Sequence, residues 1–105
     1  MNLSTQIPIP KGVSDTALDG LVLRGNYRRG GTSVGVGTAK VLAYQTHTTL
    51  KKVLHIAKYF PRHAEDNLEQ RNPPSNGYIA WLLWGGDPGR RWANRVKAKW
   101  ERENG

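Results

Sequence analysis

The sequence predicts a small all-α domain, a compact bundle of four to five short helices with an extended N-terminal arm. Three observations carry that expectation. Apolar residues recur at three- and four-residue spacing, residues able to cap a helix stand just before those stripes, and no stretch of useful length alternates with a strand's period. The chain of 105 residues has room for one modest core and for no separate catalytic domain. The expected division is an arm over residues 1–12 and a single helical domain over residues 13–105.

The arm, MNLSTQIPIPKG, has no periodicity and carries Pro8 and Pro10, so it reads as extended chain. Ser14 is the expected cap of a first helix, whose stripe is Leu18, Leu21 and Val22 with Ala17 beside it. Gly20 and Gly25 weaken that helix by roughly 1 kcal/mol each if they are interior, which leaves its end between Arg24 and Arg29. Thr32 or Ser33 caps a second helix running to Ala43 or Tyr44, with Val41 and Leu42 inward. A turn over Gln45–Thr48 leads to a third helix, capped by Thr46 or Thr48, with a core face of Leu50, Val53, Leu54, Ala57 and Phe60 or its neighbour. Pro61 is expected to stop it, because a proline disfavours helical geometry in the residue before it.

Residues 64–76 are polar, include Pro73-Pro74, and read as a surface link. Ser75 caps a fourth helix through Tyr78, Ile79, Leu82 and Leu83. Trp81 and Trp84 make this helix apolar nearly all round, so it should be the most buried element. Gly85-Gly86 ends it. Asp87 as cap and Pro88 at the first helical position then open a fifth helix, which carries Trp92, Val96 and Trp100 inward and runs to about Glu103. Trp81, Trp84, Trp92 and Trp100 are expected to tie the last two helices to the core; the alternative leaves Trp84 or Trp100 exposed for stacking.

Charge is segregated along the chain. The net charge is +8, and the eight basic residues from Arg24 to Arg62 have no acid among them. Six more lie between Arg90 and Arg102, with Glu101 the only acid there. On the third helix Lys51, His55, Lys58 and Arg62 form one stripe; on the fifth, Arg91, Arg95, Lys99 and Arg102 form another. Cations one helical turn apart can follow a phosphate backbone, so the expected partner is nucleic acid, DNA before RNA. The candidate contacts are Arg28, Arg29, Lys40, Lys51, Lys52, His55, Lys58, Arg62, Arg91 and Arg95. The pair of second and third helices has the order of a helix-turn-helix, yet the third helix's central face lacks Asn, Gln and Arg for base reading. Backbone contact with little sequence preference is therefore expected.

Enzymatic chemistry is poorly represented. With no Cys there is no disulfide, thiolate metal site or Cys nucleophile. The string Gly35-Val36-Gly37-Thr38-Ala39-Lys40 lacks the GK[ST] ending and preceding strand of a nucleotide-binding loop. A milder reading has the start of the second helix, with Arg28 and Arg29 before it, holding one phosphate; the alternative is a tight interhelical turn. His47, His55 and His63 are eight apart, a rotation of ~80° each on a helix, and share no face. His63 with Arg62, Glu65 and Asp66 is the one cluster a nuclease could use, and the reading is non-enzymatic, without cofactor or metal. The longest apolar run, Tyr78–Trp84, is far below the ~20 residues of a membrane span, and no signal peptide is expected at the start. The setting expected is host cytoplasm or virion.

Three strings carry a resemblance: Arg28-Arg29-Gly30-Gly31-Thr32-Ser33-Val34-Gly35, Tyr59-Phe60-Pro61-Arg62-His63, and Ile79-Ala80-Trp81-Leu82-Leu83-Trp84-Gly85-Gly86-Asp87. Their order over residues 24–95 resembles a small domain associated with phage and prophage genomes, alone or attached to head-related and other viral proteins. The last string is the most specific. The resemblance brings no assigned activity, so it transfers no functional residue. It implies a viral setting, in which a small basic protein handles DNA, sits in the particle as a structural or assembly protein, or inhibits a host enzyme.

Overall fold

The computed structural model describes residues 1–104. It contains five helices, α1 (Lys11–Tyr27), α2 (Ser33–Tyr44), α3 (Leu50–His63), α4 (Asn76–Leu83) and α5 (Gly86–Asn104), together with two short strands, β1 (Gln6–Pro8) and β2 (His47–Thr49). The expectation of a helical bundle holds for most of the chain. The all-α expectation needs one correction, because β1 and β2 pair antiparallel, with Ile7 opposite Thr48. Each strand has three residues, too few for alternation to register as a pattern.

The arm is therefore part of the body. Ile7 is buried, and Ile9 N–H donates to the Thr46 carbonyl at 2.9 Å. The arm also closes the N-terminus of α3. A helix start leaves its first N–H groups without intrahelical partners. Here Leu50 N–H donates to Thr5 O at 2.9 Å, Lys51 N–H to Leu3 O at 3.0 Å, and Lys52 N–H to the Thr49 hydroxyl at 3.1 Å. The cap is thus Thr49 rather than Thr46 or Thr48, which lie at or before the strand.

Two other caps follow the sequence. Thr32 Oγ1 accepts from Gly35 N–H at 3.2 Å, and Ser75 Oγ accepts from Tyr78 N–H at 3.0 Å. α1 departs from it. The helix begins at Lys11, before the expected boundary, because the Pro10 carbonyl already accepts from Val13 and Ser14 N–H. Ser14 sits inside, and its hydroxyl donates to the Ala43 carbonyl at 3.1 Å, joining α1 to the end of α2. The buried side of α1 is Val13, Ala17 and Gly20, whereas Leu18 and Val22 are exposed. Ridge-and-groove packing on α4 selects this small-residue side.

Gly20 shows why. A Cβ there would come within 2.8 Å of the Leu83 backbone nitrogen, so the α1 and α4 backbones approach to a distance that only glycine permits. α4 accordingly lies at the centre, with Ile79 and Leu83 fully buried and Trp81 nearly so. α3 packs principally on α5, and α1 on α2 and α4. The helix-turn-helix arrangement is not formed: β2 separates α2 from α3, and the two helices do not pack along each other.

Pro61 does not end α3, which continues to His63. It lies in the last turn, where the N–H it lacks is one bond among few. Burial of Phe60 and the stack of His63 on Tyr59 hold that turn. α5 opens at Gly86, so Asp87 falls within its first turn, and its carboxylate accepts from the Trp81 indole N–H at 3.0 Å. Trp92 is buried at 4% exposure, Trp84 is buried as well, and Trp100 is partly buried against the core.

Two tests follow from this packing. Gly20→Ala should destabilise the fold by about 1–3 kcal/mol through overpacking, despite alanine's better helix propensity. Gly25→Ala, at a helical position with nothing within 4 Å, should stabilise by up to about 1 kcal/mol. Opposite signs in denaturant unfolding are the expected result, and two stabilising changes would refute the close approach. Trp92→Ala should cost about 3–5 kcal/mol, measured as a large fall in the unfolding midpoint.

Candidate nucleic-acid interface

α3 presents two sides. Leu50, Val53, Ile56, Ala57 and Phe60 face the core, and Lys51, His55, Lys58 and Arg62 recur at four-, three- and four-residue steps on the outside, all exposed. Because the helix passes through Pro61, Arg62 stays in register with the rest of the stripe. Among the described residues three contacts join a basic group to an acid: the N-terminus with Glu103, Lys11 with Asp15, and His63 with Asp66, the last an ion pair only when the imidazole is protonated. None uses a cation of this stripe, so no acid among the described residues neutralises Lys51, Lys58 or Arg62.

The other sequence candidates divide. Lys40 on α2 and Arg91 and Arg95 on α5 are exposed and unpaired among the described residues, and they lie on other helices than the α3 stripe. Arg28 is exposed at the C-cap of α1, in left-handed geometry at φ 53°. Arg29 is committed to the fold: its guanidinium donates to the Pro74 carbonyl at 2.9 Å and lies 6.0 Å from the Tyr27 ring centroid. Lys52 points inward. Its amine donates to Thr38 Oγ1 at 2.7 Å and stands 5.6 Å from the centre of the Trp84 ring, and burial lowers its pKa. Lys52 is thus a bridge between α2 and α3 more than a phosphate contact.

The glycine string forms the turn into α2. Gly30 and Gly31 adopt φ of 93° and 78°, which side chains rarely tolerate, and a Cβ on either would collide with Ile79 or Leu83. Arg29 turns away from that helix start, and the residues of α3 face it instead. A cavity of about 310 Å³ between them is lined by Thr32, Val34, His55, Lys58, Arg62 and the ring column described next.

Trp84, at the end of α4, stacks on Tyr59 with centroids 4.6 Å apart and planes 7° apart. His63 stacks on the same tyrosine at 4.3 Å and 16°. Two parallel rings cannot share one face, so Trp84 and His63 cover opposite faces of Tyr59. His63 Nδ1 meets Asp66 Oδ2 at 2.5 Å, which sets the imidazole's rotation. A second cavity, about 390 Å³, adjoins the column on the side of Gly30, Asp66, Asn76 and Gly77. His55 meets the Trp84 ring edge-on at 5.2 Å. Burial of part of the ring first, then the charges of Lys52, Lys58 and Arg62, lowers its pKa and favours the neutral imidazole.

Sequence reasoning missed the column. Tyr59 and His63 are four apart on one helix, a signal that was present. Trp84 comes from another element, and no local pattern points to it. Tyr59 is 8% exposed and its hydroxyl has no hydrogen-bond partner; burial, reinforced by the Asp66 charge, holds the phenol neutral.

These features define a mainly helical domain with a small two-stranded sheet and an unneutralised cationic helix face. No helix among the described residues is long and apolar enough to cross a membrane. No family model, curated protein or solved structure matches the chain.

Tyr59→Phe should keep both stacks and remove a buried polar group that lacks a partner. Its stability should equal or exceed the parent's, by up to about 1 kcal/mol. A clear loss in thermal or denaturant unfolding would show that the hydroxyl is satisfied in solution.

Proposed function

We propose that this domain is a non-enzymatic nucleic-acid-binding protein that grips the phosphate backbone, of DNA before RNA, through the outer face of α3. The observation that carries the reading is the exposed stripe of Lys51, Lys58 and Arg62, which no acid of the described chain neutralises. Cations held at turn spacing on a well-packed helix displace the counterions of a polyanion, and that release drives association. Lys40, Arg91 and Arg95, exposed on other helices, add to the overall positive field that steers encounter. The viral setting that the sequence resemblance implies belongs to the same proposal.

A second reading, a virion assembly protein that binds other proteins, draws on Leu18 at 40% and Val22 at 54% exposure, one turn apart on the outside of α1. The two readings separate in a mobility-shift series with unrelated DNA and RNA sequences at several salt concentrations. The parent should bind all sequences with similar affinity, and binding should fall steeply with salt. Replacing Lys51, Lys58 and Arg62 together by Ala should weaken every complex alike and flatten the log K against log[salt] slope by roughly 0.7–0.9 per lost contact. Folding should survive, since all three side chains are exposed. An unaltered slope would clear α3 of the role, and a parent that binds no nucleic acid at low salt would favour the protein partner.

A further inference from the structure

The aromatic column ends in His63, a half-buried ring stacked on Tyr59 with part of its surface still open to solvent. Trp84 closes one end, buried; His63 forms the other, with its side chain 40% exposed although Tyr59 covers one of its faces. Exposure on that scale, for a ring already stacked on one side, leaves the opposite face open. Asp66 holds the imidazole by its Nδ1 edge, so the open face has a fixed direction, parallel within 16° to the Tyr59 ring beneath it. The residue just before it in the chain is Arg62, on the cationic outer face, and Lys58 shares a cavity with both.

From this juxtaposition we propose that His63 is a stacking platform for an unpaired nucleobase, so that the preferred ligand is single-stranded nucleic acid. The inference rests on the backbone-binding reading and deepens it by naming the strand state. A flat ring whose other face is already backed by tyrosine and tryptophan pays little ordering entropy when a base arrives, and every base offers a π-face, so contact of this kind is tolerant of sequence. In a duplex both faces of each interior base are covered by its neighbours, and the platform has nothing to receive. Phosphates of the bound strand run on the Lys58 and Arg62 side of the column. Asp66 flanks the opposite side, where a carboxylate discourages a phosphate.

The test separates stacking from charge. Fluorescence anisotropy compares a short single-stranded oligonucleotide with one of equal length and charge in which the central residues are abasic, and with the corresponding duplex. The parent should bind the intact strand about tenfold or more tightly than the abasic strand. His63→Ala should abolish that difference while leaving the salt slope unchanged, and His63→Phe, which keeps a flat ring and the contact with Tyr59, should restore it. Equal binding of intact and abasic strands by the parent would overturn the proposal, as would full discrimination by His63→Ala. Either result leaves backbone binding through α3 intact. Failure to bind any strand at low salt would instead remove the reading on which this one depends.

Discussion

The close seating of α4 against α1 is the constraint on which the rest of this fold depends. Eight residues of helix are too few to stand alone in water, and α4 is apolar on almost every side, so it has to be enclosed. Gly20 lets the α1 backbone come down onto Leu83, and the turn at Gly30 and Gly31 passes over Ile79 and Leu83 without side chains of its own. Packing density near that of a crystal leaves no slack to absorb an added methyl group at such a contact. Everything at the far end of α4 inherits this position: Trp84 stands where α4 ends, and Tyr59 and then His63 stack outward from it.

A second dependency runs from the N-terminus. α3 carries the cationic face, and its own first turn would place unpartnered N–H groups at the surface. The chain meets them with the Leu3 and Thr5 carbonyls, drawn into place by the pairing of β1 with β2, and with the Thr49 hydroxyl. The start of α3 is closed to anions for that reason. Its charge is displayed along the outer side of the helix, where Lys51, Lys58 and Arg62 meet solvent.

The basic residues also show that charge counted along a chain is not charge available at a surface. Arg29 and Lys52 belong to the acid-free segment and look equivalent to their neighbours in sequence. In the fold Arg29 satisfies the Pro74 carbonyl and Lys52 the Thr38 hydroxyl, so both spend their donors on holding elements together. Lys51 and Lys58 have no such partner within the described chain.

What the sequence alone determined is what a turn or two of chain can encode. Thr32 and Ser75 cap their helices because a hydroxyl reaches an N–H three residues on, and most of the core face of α3 follows from spacing within one helix, although Ile56, outside the expected face, is fully buried and Leu54 only partly so. The burial of α4 and the inward placing of Trp92 were legible for the same reason. Tertiary structure decided the features whose partners lie far off in the chain. β1 needs β2 forty residues later; the stripe of α1 is chosen by α4, which favours Ala17 and Gly20 over Leu18 and Val22; Pro61 stays helical because Phe60 is buried and His63 stacks. Asp87 looks locally like a cap and serves instead as the acceptor for Trp81. The ring column is the clearest case. Its rings come from α3 and from the end of α4, elements brought together by the packing of α3 on α5 and of α4 on α1 and α5, and no spacing within either segment can specify where two surfaces will meet.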